Sequence, residues 1–208
     1  MLILITLVIS KVFKNNSSIN LILSGIIVGG FMSGVLSLVK YFADPTTTLS
    51  QITYWLMGTF QNAKMTEVYI LLPIVGVATV SLLLLSFRFN AIGLGFEEAQ
   101  TKGINFKLYK VAIIGTATIL TAVSVAFCGT IGWVGLVIPH LVRLIGGRDT
   151  RRSIPLCVTF GGIFMVVTDI LSRTFADQEL PLSAITGIIG TAIFIVVMFI
   201  KRRDSNVH

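Results

Sequence analysis

Few side chains in this 208-residue sequence have the type and setting for chemistry. Asp169 is the acid set deepest in an apolar block, and a carboxylate there is a functional candidate because its charge is costly to hold away from water. Arg173 follows four residues later, so a helix places both on one face as an i,i+4 ion pair. The structural pair is the favoured reading. A proton relay through Asp169 is the second, and it lacks another buried acid or histidine to pass the proton to. The Arg173 guanidinium is also suited to a carboxylate of a docked protein, since arginine bonds acids in a bidentate way. His140 sits beside Pro139 with no second ligand type nearby, which favours a helix-end packing or hydrogen-bonding role over a metal site. Cys128 and Cys157 lie in apolar surroundings with no CxxC spacing and read as buried thiols. The sequence contains no GxxxxGK[ST] phosphate cradle, no HExxH and no nucleophile elbow, so the chain is not expected to be an enzyme or to hydrolyse ATP itself.

The elements that position these residues follow from composition. Hydrophobic residues make up 54% and charged residues 12%, and the mean hydropathy is +0.92. Soluble domains carry about 25% charged residues, so cytosolic enzymes, nucleic-acid modules and disordered tails drop out. Apolar blocks run from Leu2 to Ser10, Ile19 to Val39, Thr66 to Phe87, Leu108 to Cys128, Ile131 to Gly146, Ile154 to Ser172 and Leu182 to Ile200. A helix needs roughly 20 residues to cross a hydrocarbon core, and unpaired strand edges are not tolerated in lipid. The expected fold is therefore all-α: a single polytopic transmembrane helical bundle over residues 1–208, with about six complete spans and a partial first one. The first block is too short to span alone and reads as the second half of a helix; no basic n-region or cleavage pattern supports a signal peptide.

The block from Ile131 to Gly146 is short and carries Pro139, His140 and Arg143, and the basic residues decide whether it crosses. If it does, thirteen of the sixteen Lys and Arg residues share one side: Lys11 and Lys14; Arg88, Lys102, Lys107 and Lys110; Arg143, Arg148, Arg151 and Arg152; and Lys201, Arg202 and Arg203. Only Lys40, Lys64 and Arg173 remain opposite. Without the crossing this asymmetry collapses. The positive-inside rule thus favours a short crossing, with the C-terminus cytoplasmic in a multi-pass membrane protein. Topology then accounts for the net charge of +7 with no nucleic-acid partner.

Between spans, Tyr41 to Met65 is a long external connection whose Tyr54–Trp55 pair marks a short helix at the headgroup level. The span from Ile19 to Val39 carries Gly25, Gly29, Gly30 and Gly34 in two GxxxG spacings. These favour close helix packing, and a pathway wall of small residues is the sharper alternative. Thr116, Thr118, Thr121, Ser124, Thr186 and Thr191 are expected to bond between helices. The cytoplasmic segment 90–106, NAIGLGFEEAQTKGINF, reads either as a solvated connector or as a docking element for a soluble partner.

The run GTIGWVGLVIPHLVRLIGGRDTRRSIPL, from Gly129 to Leu156, resembles the signature of the FecCD-type permeases of bacterial ATP-driven importers for iron-siderophores, haem and cobalamin. The matching positions are Gly129, Ile131, Gly132, Trp133, Gly135, Leu136, Pro139, His140, Arg143, Asp149, Arg151 and Pro155. LILSGIIVGG, WLMG, LGFEEAQTKGIN and TDILSRTFADQELPLSAITGIIG agree as well, so the resemblance covers Asn20 to Arg203.

That resemblance implies a type II importer permease in the cytoplasmic (inner) membrane of a bacterium, pairing with a second permease copy around a central pathway. Its partners would be separate ATPase subunits, which use ATP and Mg, and an extracellular or periplasmic substrate-binding protein; no cofactor would be bound by this chain. The family's coupling segment maps onto Leu94, Gly95, Glu97, Glu98, Ala99 and Gly103, with Lys102 standing where the family has Leu. Arg173 matches a docking residue for the binding protein, and Gly25, Gly29, Gly34, Trp55 and Gly58 would line or gate the path. Family members are longer at the N-terminus, so the chain is expected to be a fragment of a longer reading frame or a degenerate remnant. An ion-coupled carrier using Asp169 and a non-transporting fragment are the other readings.

Overall fold

A computed structural model describes residues 5–6, 18–61, 63–93, 106–147, 149–175 and 180–205. Seven helices account for most of them: α1 (Ser18–Phe42), α2 (Thr48–Leu56), α3 (Met65–Gly93), α4 (Phe106–Cys128), α5 (Val134–Gly146), α6 (Thr150–Thr174) and α7 (Leu182–Ser205). No strand occurs among the described residues, and the all-helical fold expected from block length is what the chain forms. The reason is elementary: without water, backbone polar groups are satisfied most directly inside the segment that carries them. The chain forms two compact units, Met1–Thr53 and Tyr54–His208, and their boundary falls inside α2.

In the first unit, α1 has 25 residues and a length of about 37 Å, enough to span the hydrocarbon core. Ser24 donates to Asn20 O at 2.7 Å and Ser37 to Ser33 O at 2.8 Å, so both hydroxyls are returned to the helix itself. Among the described residues, a Cβ added at Gly25, Gly29, Gly30 or Gly34 would meet nothing within 4 Å, so the GxxxG face carries no helix of this unit. The turn into α2 is organised by Asp44. Its Oδ1 accepts from the Thr46 and Thr47 amides at 2.8 and 3.1 Å and from both hydroxyls.

In the second unit, four helices are long and apolar enough to cross a membrane, over Met65–Ser86, Val111–Cys128, Thr150–Thr174 and Leu182–Phe199; α1 supplies a fifth over Ile22–Phe42. α5, with 13 residues, is only about 20 Å long. Backbone bonds establish how they run. Thr59 N donates to Cys128 O, Leu182 N to Gly58 O and Ser183 N to Met57 O, each at 3.1 Å, and Leu180 N to Ser172 O at 3.2 Å. The entry to α3, the ends of α4 and α6 and the starts of α5 and α7 therefore meet at one end, the junction end. The direction of the chain alternates from α3 to α7, and α5 runs from this junction to the opposite end, as its expected crossing requires. Arg88, Lys107, Lys110, Arg143, Arg151, Arg152, Lys201, Arg202 and Arg203 belong to helix portions at or toward that opposite, basic end. Lys64 and Arg173 belong to the junction end.

α5 is the packing centre of this unit. Val137, Ile138 and Val142 are at most 3% exposed, and α5 packs on α6 and α7. Gly190 of α7 makes the contact close, since a Cβ there would lie 3.0 Å from Trp133 Cβ and 3.3 Å from Val137 Cγ2. Asp149 caps α6 by accepting from Arg151 N at 3.0 Å. The outward faces keep large apolar side chains exposed, among them Leu72, Leu84, Val166, Ile170 and Phe199. On a soluble protein such a surface would mark a binding site, and on membrane-length helices it suits lipid or another membrane helix.

The interhelical role expected of Thr116, Thr118, Thr121 and Thr186 is corrected. Thr116, Thr118 and Thr121 donate to Ala112, Ile114 and Ala117 carbonyls one turn back in their own helix, and Thr186 donates to Ser183 O. A hydroxyl in a helix always has this local acceptor within reach, so it does not need a neighbouring helix.

Candidate functional site

The junction end gathers residues from four separated stretches of the sequence. Gly58 (φ +74°) and Gly129 (φ +69°) sit face to face in left-handed conformations. A Cβ on Gly129 would overlap Trp55 O and come within 3.0 Å of Gly58 Cα; one on Gly58 would lie 2.9 Å from Ile131 Cγ1 and 3.0 Å from Thr130 O. Only glycine meets both demands, the positive φ and the close approach. Ser183 closes the group by donating its hydroxyl to Thr130 O. Trp133 adopts φ +68°, unusual for a residue with a side chain, and its indole lies against Gly187 and Gly190 of α7.

Beside this junction, the last turn of α6 carries the ion pair. Arg173 Nε donates to Asp169 Oδ1 and Oδ2, both at 3.1 Å, and the side chains are 47% and 28% exposed. Ser172, nearly fully buried, is bonded twice to Leu180: its hydroxyl donates to Leu180 O while Leu180 N donates to Ser172 O. The geometry is that of the structural pair anticipated from the spacing. The carboxylate of Asp169 is held by a guanidinium, which leaves it poorly placed to relay a proton.

Toward the basic end, a cleft of about 770 Å³ opens among α3 to α7, with Leu82, Pro139, His140, Arg143, Ser153 and Cys157 in its wall. A second hollow of about 420 Å³, walled by Phe60, Ser124, Cys128 and Met165, shares Leu120 with it. His140 Nδ1 lies 3.2 Å from Leu136 O, and its ring meets Phe194 edge-on with centroids 5.4 Å apart. It is a packed, hydrogen-bonded helix residue. Among the described residues no group of three His, Cys, Asp or Glu side chains is placed to hold a metal ion.

The expected site residues thus separate. Trp55 and Gly58 come together with Gly129 and Ser183, and Arg173 stands near them at the same end. Pro139, His140 and Arg143 line the cleft, whereas Gly132 and Gly135 have open space at their Cβ positions. Gly25, Gly29 and Gly34 belong to the first unit. Leu94, Gly95, Glu97, Glu98, Ala99 and Gly103 lie outside the described residues. Sequence reasoning missed Ser183 and the left-handed Trp133. The visible signals were Gly129 just before the Thr130–Trp133 turn and the Pro-Leu-Ser start of α7, but neither says which distant loop it meets.

The profile of the FecCD transport family matches residues 1–200. The chain belongs to that family. Among its relatives is the molybdate import system permease protein MolB of Haemophilus influenzae, 34% identical over 196 residues, 93% of this chain and 58% of that protein. A probable iron chelatin transport system permease protein of Helicobacter pylori is 28% identical over 90% of this chain and 57% of its own length. The vitamin B12 import system permease protein BtuC of Citrobacter koseri is 29% identical over 96% of this chain and 61% of its own. A solved structure described as an inward-facing conformation of a putative metal-chelate type ABC transporter superposes with TM-score 0.88 at 33% identity, covering 93% of this chain and 63% of that one. This FecCD-family chain therefore spans a little over half the length of these relatives, and over the shared part its helical arrangement is that of the solved transporter structure.

Proposed function

We propose that this FecCD-family chain is the membrane-spanning permease part of an ATP-binding-cassette importer that moves a metal chelate across the bacterial cytoplasmic membrane by alternating access. The observation that carries the proposal is the alternation of α3 to α7. It sends the end of α3, the start of α4, the end of α5, the start of α6 and the end of α7 to one end and leaves Arg173 at the other. Under the positive-inside rule the basic end is cytoplasmic. Leu94, Gly95, Glu97, Glu98, Ala99 and Gly103 then face a pair of ATPase subunits, which bind ATP and Mg, and Arg173 faces a substrate-binding protein. A second permease copy completes the pathway. The cargo is proposed to be an iron-siderophore or a haem- or cobalamin-like chelate. The named cargoes of relatives, iron chelatin, vitamin B12 and molybdate, support the wider class of metal-bearing compounds.

The mechanism requires the two conformations to bind nucleotide and delivery protein with different affinity, because a ligand shifts an equilibrium only by its differential affinity. The test is ATPase stimulation by the delivery protein in reconstituted vesicles containing the permease and its ATPase. Stimulation is expected, and joint replacement of Glu97, Glu98 and Ala99 is expected to abolish it. Unchanged stimulation in that triple variant removes the coupling role. Uptake driven by a proton or sodium gradient without nucleotide would instead establish the ion-coupled carrier using Asp169.

A further inference from the structure

Trp55 and Gly58 stand where the permease reading puts an external gate, and a gate residue needs freedom to move. The geometry points to the opposite: the stretch from Trp55 to Thr59 is a fixed post of the pathway wall, tied to the end of α4 and the start of α7, with Ser183 as its positioning residue. This rests on the permease reading for its function but not for its structure.

Three backbone bonds leave the post for two different helices. Thr59 N reaches Cys128 O at the end of α4, while Met57 O and Gly58 O accept from Ser183 N and Leu182 N at the start of α7. Leu182 is 1% exposed, so its amide bond is shielded from exchange with water. Within the post, Met57 N returns to Tyr54 O and Gly58 N to Trp55 O, each at 3.1 Å, closing the last turn of α2. The two left-handed glycines do not act as hinges here. Their freedom from a Cβ is used for the close approach of Gly58, Trp55 O and Gly129, where an added carbon would overlap neighbouring backbone. Ser183 adds a side-chain link to Thr130 O, in the turn opposite Gly58. The post lies inside the second unit, Tyr54–His208.

Two measurements test this. Amide exchange of the chain in phospholipid nanodiscs is expected to show Thr59, Leu182 and Ser183 exchanging within about tenfold of core amides of α4. Ser183→Ala is expected to speed exchange at these three amides, and Ser183→Thr to restore it. Exchange at the rate of an unstructured peptide overturns the post. In the assembled transporter, with Cys128 and Cys157 replaced by Ser, a short thiol cross-linker joining Met57→Cys to Ala184→Cys is expected to leave ATPase stimulation within about twofold of the uncross-linked protein. Loss of stimulation that returns on reduction also overturns it. Absence of stimulation before cross-linking counts against the permease reading instead, and the exchange rates then decide the post alone.

Discussion

The Nε of Arg173 donates to both carboxylate oxygens of Asp169, one turn earlier on α6 and at equal distances of 3.1 Å. An exposed i,i+4 pair of this kind contributes about 0.5 kcal/mol or less, so Asp169→Asn should change thermal stability in detergent very little. Arg173→Glu places like charges one turn apart and reverses the surface offered to a delivery protein. The affinity of that protein should fall, and the wild-type affinity should weaken with added salt. Equal affinities for wild type and Arg173→Glu would leave the arginine a purely structural partner.

Gly129→Ala should abolish accumulation of folded protein. The left-handed backbone alone costs a residue with a Cβ about 1–2 kcal/mol, and the added carbon would overlap Trp55 O. Gly132→Ala, three residues later with nothing within 4 Å of the new carbon, should stay within about 0.5 kcal/mol of wild type. Equal thermal stabilities for the two variants would contradict the packed junction.

Ser172→Ala removes a buried hydroxyl that holds Leu180 O. The expected loss is about 1 kcal/mol, seen as a lower unfolding temperature and as faster proteolysis after Phe175. An unaltered cleavage rate would show that the Leu180 N to Ser172 O bond closes the loop unaided.

Hydrogen bonds from the Thr46 hydroxyl and then from the Thr46 and Thr47 amides hold the Asp44 carboxyl below its ordinary value. A carboxyl with a lowered folded pKa contributes stability above its unfolded pKa and loses it as pH falls through the folded value. Acidification should therefore loosen the entry to α2, seen as faster amide exchange at Thr46, Thr47 and Leu49 relative to Asp44→Asn. Parallel pH profiles in the two proteins would show that the turn does not depend on the charge.

Sidedness can be read directly. In a cysteine-free background, Arg151→Cys and Lys201→Cys should react with an impermeant maleimide only in inverted vesicles, and Lys64→Cys only in right-side-out cells. Labelling of Arg151→Cys and Lys201→Cys from outside would invert the placement of both the ATPase and the delivery protein.

Much of the fold was legible because lipid imposes few choices. Block length and the saturation of backbone bonds require helices, and the blocks beginning at Ile19, Thr66, Leu108, Ile154 and Leu182 all overlap long observed helices. Basic-residue asymmetry favoured a crossing by the segment after Gly129, whose helix is 13 residues long and runs from the junction end to the opposite end. The four-residue spacing of Asp169 and Arg173 was equally readable, because a helix turns i and i+4 to the same face.

Composition and periodicity thus determined what this protein is made of: an apolar helical chain, and a signature run that places it in its family. Only the tertiary structure decided that Gly58, Gly129, Trp133 and Ser183 form one junction, that the hydroxyls of Thr116, Thr118, Thr121 and Thr186 turn back on their own helices, and that His140 packs on Phe194. The physical reason is range. Helix formation and topology depend on neighbours in sequence and on the surrounding solvent, whereas a left-handed tryptophan or a backbone approach that leaves no room for a Cβ depends on which loop, more than fifty residues away, arrives at the same point.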